Sequence, residues 1–123
     1  MKDFQPEPKI CDLETLVDGT RDIHFVAIDD GRVVGRACLG FGNTDKQSPW
    51  LYQLFVAAEY RKRGIGTALV NACVCRAKLL GSDVIALSVV DESLITFYEQ
   101  LGFVVSHRYS SGEVQMSTRI PKE

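Results

Sequence analysis

Three observations predict an α+β fold, a single-domain mixed and mostly antiparallel sheet with a central β-α-β unit. Leu51 to Val56 is a run of strand formers, Gly64 to Leu80 is proline-free with helical periodicity, and Val84 to Val90 is a second apolar strand. A two-strand pattern around Asp29-Asp30-Gly31-Arg32 precedes this unit, and another around Ser110-Ser111-Gly112-Glu113 ends the chain. With 123 residues, 46% hydrophobic and 24% charged, the composition is that of an ordinary globular chain. Residues 1–123 are therefore expected to form one domain, with 1–22 as a poorly defined amino-terminal segment.

The amino-terminal segment carries two prolines and many charges, and Ile10, Leu13, Leu16 and Val17 suggest a short amphipathic turn or helix. Ile23 to Ile28 is expected as a strand and Val33 to Phe41 as its antiparallel partner. Gly42 to Pro49 is a loop by composition. In the long helix Ile65, Leu69, Ala72, Cys73 and Leu80 fall near one face, and Gly81 is placed to end it. A strand, helix, strand order of this length favours a parallel pair joined by a right-handed crossover, which makes both strands central. After Asp91, the residues Leu94, Phe97, Tyr98 and Leu101 keep helical spacing up to Gly102. Phe103 to Tyr109 and Val114 to Ile120 then form the last hairpin.

Fourteen basic and sixteen acidic residues leave a net charge of −2. No overall positive field draws the chain to nucleic acid or anionic lipid, so neither partner is expected, and any anion site must be local. No apolar run approaches the roughly 20 residues of a membrane span, and the start has no signal-peptide core, so a cytoplasmic location is expected. The four cysteines, Cys11, Cys38, Cys73 and Cys75, lack metal-ligand spacing in the sequence. Reduced thiols and no metal are the expectation.

The local anion site lies between the central strand and the long helix. Ending a strand at Val56 and starting a helix at Gly64 presents consecutive unpaired N–H groups beside the positive end of a helix dipole. Gly64 and Gly66 remove side chains where a phosphate approaches the backbone, and Arg61, Lys62 and Arg63 concentrate positive charge there. A Rossmann fingerprint and a Walker loop are both absent from the sequence.

Leu54-Phe55-Val56 followed by Glu59 to Leu69, with Arg61-Lys62-Arg63-Gly64-Ile65-Gly66 at its centre, resembles the acyl-CoA-binding motif of the GNAT acetyltransferase superfamily. Phe97-Tyr98-Glu99-Gln100-Leu101-Gly102-Phe103 resembles that family's second signature at matching separation. The resemblance runs from about residue 23 to residue 120. It implies that acetyl-CoA is the acyl donor, with its pyrophosphate on the backbone of Arg61, Lys62, Arg63, Gly64, Ile65, Gly66 and Thr67. Leu54, Phe55 and Val56 would lend main-chain groups to the pantetheine arm as to an extra strand. Tyr98 would be the general acid that protonates the departing thiolate. Asp91 stands where the family commonly has asparagine. It caps a helix well but cannot donate from an amide, so a direct cofactor contact there competes with a capping role, and Ser93 is a second possible cap.

A general base is not apparent. Tyr52 and Gln53 stand where some family members carry a glutamate, and His24, Asp45 and Glu92 are the other candidates, with a water relay as the default. Trp50, Tyr52, Phe41 and Tyr109 are candidate walls of an acceptor pocket. About 22 residues precede the first expected strand, fewer than the strand and two helices that the family usually places there. That shortened amino-terminal region suggests an open site or one completed in a homodimer. The implied function is transfer of acetyl to a primary amine of a small molecule or peptide by direct attack. The alternatives are a non-catalytic acyl-CoA-binding regulatory domain and a structural domain that binds no CoA.

Overall fold

The computed structural model describes residues 8–17, 20–42 and 48–121. Seven strands form one sheet: β1 (Lys9–Val17), β2 (Thr20–Asp29), β3 (Arg32–Gly42), β4 (Trp50–Val56), β5 (Val84–Val89), β6 (Val104–Arg108) and β7 (Val114–Arg119). Two helices, α1 (Ile65–Leu79) and α2 (Glu92–Gln100), join β4 to β5 and β5 to β6. The sheet order is β1-β2-β3-β4-β5-β7-β6, with β4 and β5 the parallel pair and the remaining neighbours antiparallel. The expected α+β class and central β-α-β unit are both present.

The amino-terminal segment departs from expectation. Lys9–Val17 is a strand, not an amphipathic turn or helix, and Val17 pairs with Thr20. The spacing of Ile10, Leu13 and Leu16 mimics a helix, but backbone pairing along the whole of β2 supplies the stabilising bonds. Ile10 packs against the core while Leu13 stays 66% exposed, as expected when successive residues face opposite sides of a sheet. On the core side Asp12 forms an ion pair with Arg76 of α1, whose guanidinium also sits 5.6 Å from the centre of the Phe25 ring.

The β2–β3 turn is as tight as its sequence predicts. Asp29 pairs with Arg32, and Asp30 (φ 51°) and Gly31 (φ 76°) both adopt the left-handed region that a two-residue hairpin loop requires. Alternation in β2 buries Ile23, Phe25 and Ala27 on one face. That face meets α1 through Ile65, Leu69, Val70, Cys73 and Ala77, and the same cluster takes in Ile85, Leu87, Tyr98 and Phe103. Both crossovers advance in the same direction across the sheet, so equal handedness lays α1 and α2 on one face. Their proximity follows: a Cβ built on Gly66 of α1 would lie 3.5 Å from the Phe97 ring of α2. The opposite face of β1 to β4 bears no helix among the described residues.

Candidate active site

Two strands that should pair instead diverge. β4 and β5 share a single residue pair, Trp50 with Ala86, supported by the bond from Ala86 N–H to Pro49 O at 3.1 Å. Gln53 explains part of the divergence. Its φ is 61°, and between the pairs Arg36–Phe55 and Cys38–Tyr52 the β4 strand spends one residue more than β3. A bulge of this kind bends its strand. Beyond it the β5-facing edge of Leu54, Phe55 and Val56 is left without a strand partner, the geometry that an extended amide ligand can complete.

A groove of 590 Å³ opens at this point, lined by Leu54, Phe55, Val56, Arg61, Lys62, Gly64, Gly66, Thr67, Asp91 and residues of α2. It brings together every cofactor residue expected from the sequence except Arg63 and Ile65. The Arg63 guanidinium instead lies 4.9 Å from the centre of the Tyr60 ring, and Ile65 is buried in the core. Neither side chain lines the groove.

The floor of the groove is the start of α1. The bond from Ala68 N–H to Gly64 O is the first of the helix, which leaves the N–H groups of Ile65, Gly66 and Thr67 as first-turn donors. No side chain caps this end and no acidic residue stands in the first turn. An anion meets the positive end of the dipole unopposed. Left-handed Lys62 (φ 64°) and Gly64 (φ 84°) alternate through the preceding turn, the backbone pattern that makes an anion-binding concavity. The turn is held from both sides. Arg61 Nε donates to Val56 O at 2.9 Å, and the Tyr60 hydroxyl donates to Asp29 Oδ2 at 2.6 Å.

Asp91 lies at the edge of the groove as the N-cap of α2, accepting from Ser93 N–H at 3.0 Å and Ser93 Oγ at 2.9 Å. These bonds, the backbone one first, hold its carboxyl below the usual carboxylate range. Ser93 is thus the donor to the cap and not a second cap.

A second cavity of 430 Å³ continues through the divergence, lined by Trp50, Leu51, Tyr52, Gln53, Leu54, Leu87, Ser88, Val89, Val90, Leu94 and Tyr98. Leu54 and Leu94 line both spaces, so the two adjoin. Tyr98 is 4% exposed, its ring in edge contact with Phe97 and Phe103. Burial, helped by nearby Cys73, pushes its phenol up to about 12, so the hydroxyl keeps its proton at neutral pH. Of the acceptor-wall candidates, Trp50 and Tyr52 line this cavity. Phe41 is buried elsewhere beside Arg21, and the Tyr109 hydroxyl donates to Gln115 on the last hairpin.

The candidate bases are scattered. Glu92 faces Arg108 at 3.3 Å, His24 stands on the helix-free face of the sheet, and Asp45 lies outside the described residues. The described lining of the second cavity contains no carboxylate and no histidine. Ser88, Val90 and Leu94 are wall residues that sequence reasoning did not single out. Leu94, which keeps helical spacing with Phe97 and Tyr98, is 41% exposed and borders both cavities.

The acetyltransferase (GNAT) domain family matches residues 20–105, and the chain belongs to that family. An uncharacterised N-acetyltransferase of Methanocaldococcus jannaschii is 34% identical over 94 residues, 72% of this chain and 42% of that protein. An N-alpha-acetyltransferase of Sulfurisphaera tokodaii is 37% identical over 106 residues, 72% of this chain and 63% of that protein. The chain thus spans less than two thirds of either relative. A PaiA N-acetyltransferase from Thermoplasma acidophilum, solved with coenzyme A, has the same fold, with TM-score 0.71 and 21% identity over 80% of this chain and 60% of that one. Among the described residues, no helix is long and apolar enough to cross a membrane.

Proposed function

We propose that the chain binds acetyl-CoA in the cleft between β4 and β5 and transfers the acetyl group to a primary amine by direct attack. One observation carries the reading: an uncapped α1 N-terminus, free of carboxylates in its first turn, opens onto a groove that adjoins a cavity walled by Tyr98. In this reading the pyrophosphate takes the first-turn donors Ile65, Gly66 and Thr67, with Arg61 and Lys62 beside it. The pantetheine amides run along the β5-facing edge of Leu54 to Val56, where no strand pairs and Arg61 Nε holds Val56 O. The amine nitrogen forms its bond to the thioester carbonyl carbon, the C–S bond breaks, and Tyr98 gives its proton to the sulfur. The proton lost by the amine leaves through water, since the cavity wall supplies no base.

The names of the relatives support the reaction class, and the CoA bound to the Thermoplasma protein supports the donor. The wall without a base also favours a second reading, an acyl-CoA-binding regulatory domain without catalysis. Calorimetry with acetyl-CoA and with CoA tests binding, where affinities in the micromolar range are expected. Release of free thiol across a panel of peptide, lysine, polyamine and aminoglycoside amines separates the two readings. Binding without thiol release would select the regulator, and no binding of either nucleotide would exclude both.

A further inference from the structure

We propose that Asp22, His24 and Cys38 form a site for one divalent transition-metal ion of the zinc class, on the sheet face opposite the helices. Asp22 and His24 are two residues apart on β2, so their side chains leave the same face. Cys38 pairs with His24 across β2 and β3, and Gly40 pairs with Asp22. One ligand atom from each of the three residues lies within 4.8 Å of the other two. Ligand atoms in a tetrahedral site at metal distances of 2.0–2.3 Å stand about 3.4 Å apart, a separation that small side-chain rotations reach from here.

The state of the Asp22 carboxylate is a second, independent observation. Asp22 Oδ1 is buried and has no hydrogen-bond partner, a costly state for a carboxylate oxygen that a bound cation relieves. The Tyr52 hydroxyl comes close: a Cβ built on Gly40 would lie 2.9 Å from it and 3.0 Å from Asp22 Oδ1. The same hydroxyl interacts with both the Asp22 carboxyl and the Cys38 thiol, so a bound ion would displace it from two of the three ligands. Thr15 Oγ1 stands 3.4 Å from His24 Nε2, the kind of outer contact that orients a ligating imidazole.

The donor set decides the class of metal. One oxygen, one nitrogen and one sulfur suit zinc and its neighbours and disfavour magnesium and calcium, which take oxygen ligands. Binding forms a metal–sulfur bond as the Cys38 S–H bond breaks, releasing one proton to solvent. A dipositive ion then balances one carboxylate and one thiolate. The site is independent of the acyl-CoA reading, because none of its three ligands lines either cavity.

Titration of the metal-free full chain with Co²⁺ tests the site. One equivalent should bind, with visible bands of tetrahedral cobalt and a near-ultraviolet thiolate-to-cobalt band, and one equivalent of Zn²⁺ should displace it. Cys38→Ser should abolish the thiolate band, whereas Cys75→Ser, at the exposed cysteine, should keep it. Asp22→Asn and His24→Gln should each weaken binding by at least roughly 100-fold, since losing a ligand costs no less than disturbing a metal's outer shell. Asp22→Asn preserves shape, so it remains informative if Cys38→Ser does not fold. The proposal is overturned by the absence of saturable one-to-one binding, by a thiolate band that survives Cys38→Ser, or by unchanged affinity in Asp22→Asn.

Discussion

The two ends of the cleft between β4 and β5 are built from different materials. At the α1 end most of the groove wall is one stretch of chain, Leu54 to Thr67, facing α2, and its chemistry lies in backbone N–H groups and a helix dipole. At the other end the cavity is made of side chains from β4, β5 and α2, brought together by strand register and by the bulge at Gln53. The first end tolerates changes of side chain and fails when the backbone is blocked. The second fails when one side chain is changed and is blind to its sequence neighbours.

Tyr98→Phe breaks the comparison most directly. It removes the hydroxyl and keeps the ring contacts to Phe97 and Phe103, so the fold and CoA affinity should persist. Turnover should fall by about 100-fold, the lower bound for losing a positioned acid. The wild-type phenol is held up to about 12, so Tyr98 ionisation should not lower the rate in the neutral to mildly alkaline range. Full turnover in the variant, measured by thiol release, would remove Tyr98 from the chemistry.

On the same side, Gly40→Ala tests how closely the side-chain end is packed. Its new Cβ would stand 2.5 Å from a ring carbon of Tyr52, a clash that Tyr52 must move to relieve. A loss of about 1–3 kcal/mol is expected, the usual cost of overpacking, read from denaturant melts. Unchanged stability would mean that Tyr52 is free to swing away from Asp22.

The phosphate end should respond to shape alone. A Cβ on Gly66 meets only ordinary contacts, 3.5 Å to Phe97 and 3.8 Å to Val56, so Gly66→Ala should fold normally. Gly66→Leu should project into the groove and weaken CoA by roughly 10-fold or more while melting like the wild type, as expected where backbone must meet phosphate. Calorimetry with both variants separates exclusion from misfolding. Equal CoA affinity in Gly66→Leu would place the pyrophosphate elsewhere.

These materials also govern what the sequence discloses. The groove at the start of α1 was legible because its parts are contiguous: a strand, two glycines, three basic residues and an uninterrupted helix occur in order. Legibility failed at Arg63, since a basic residue near a phosphate loop does not reveal that its guanidinium packs on Tyr60. β1 was missed because Ile10, Leu13 and Leu16 satisfy a helical spacing, while the partner that makes them a strand lies across a turn. The cavity wall at Ser88, Val90 and Leu94 depends on divergence of β4 from β5, and the only local hint is a polar Gln53 within an apolar run. Asp22 and His24 carried a faint signal in their two-residue spacing, but Cys38 joins them only through the β2–β3 register.

The smallest expected effect falls at the edge of the groove, at Asp91. Its carboxyl accepts two bonds from Ser93 and is lowered by them, so it stays ionised further into acid than in the unfolded chain. A lowered folded-state value means that the stabilisation is present above the unfolded carboxyl's range and fades as pH falls through the folded one. Asp91→Asn keeps a good cap and removes that titration. At neutral pH the variant should melt within a few degrees of wild type, and below about pH 4 it should lose less stability on further acidification. If CoA affinity is also unchanged, Asp91 serves α2 alone and the groove ends at Leu94. If affinity rises, the amide has gained a contact with the ligand that the carboxylate cannot make, and the boundary between backbone-made and side-chain-made recognition moves one residue into the phosphate end.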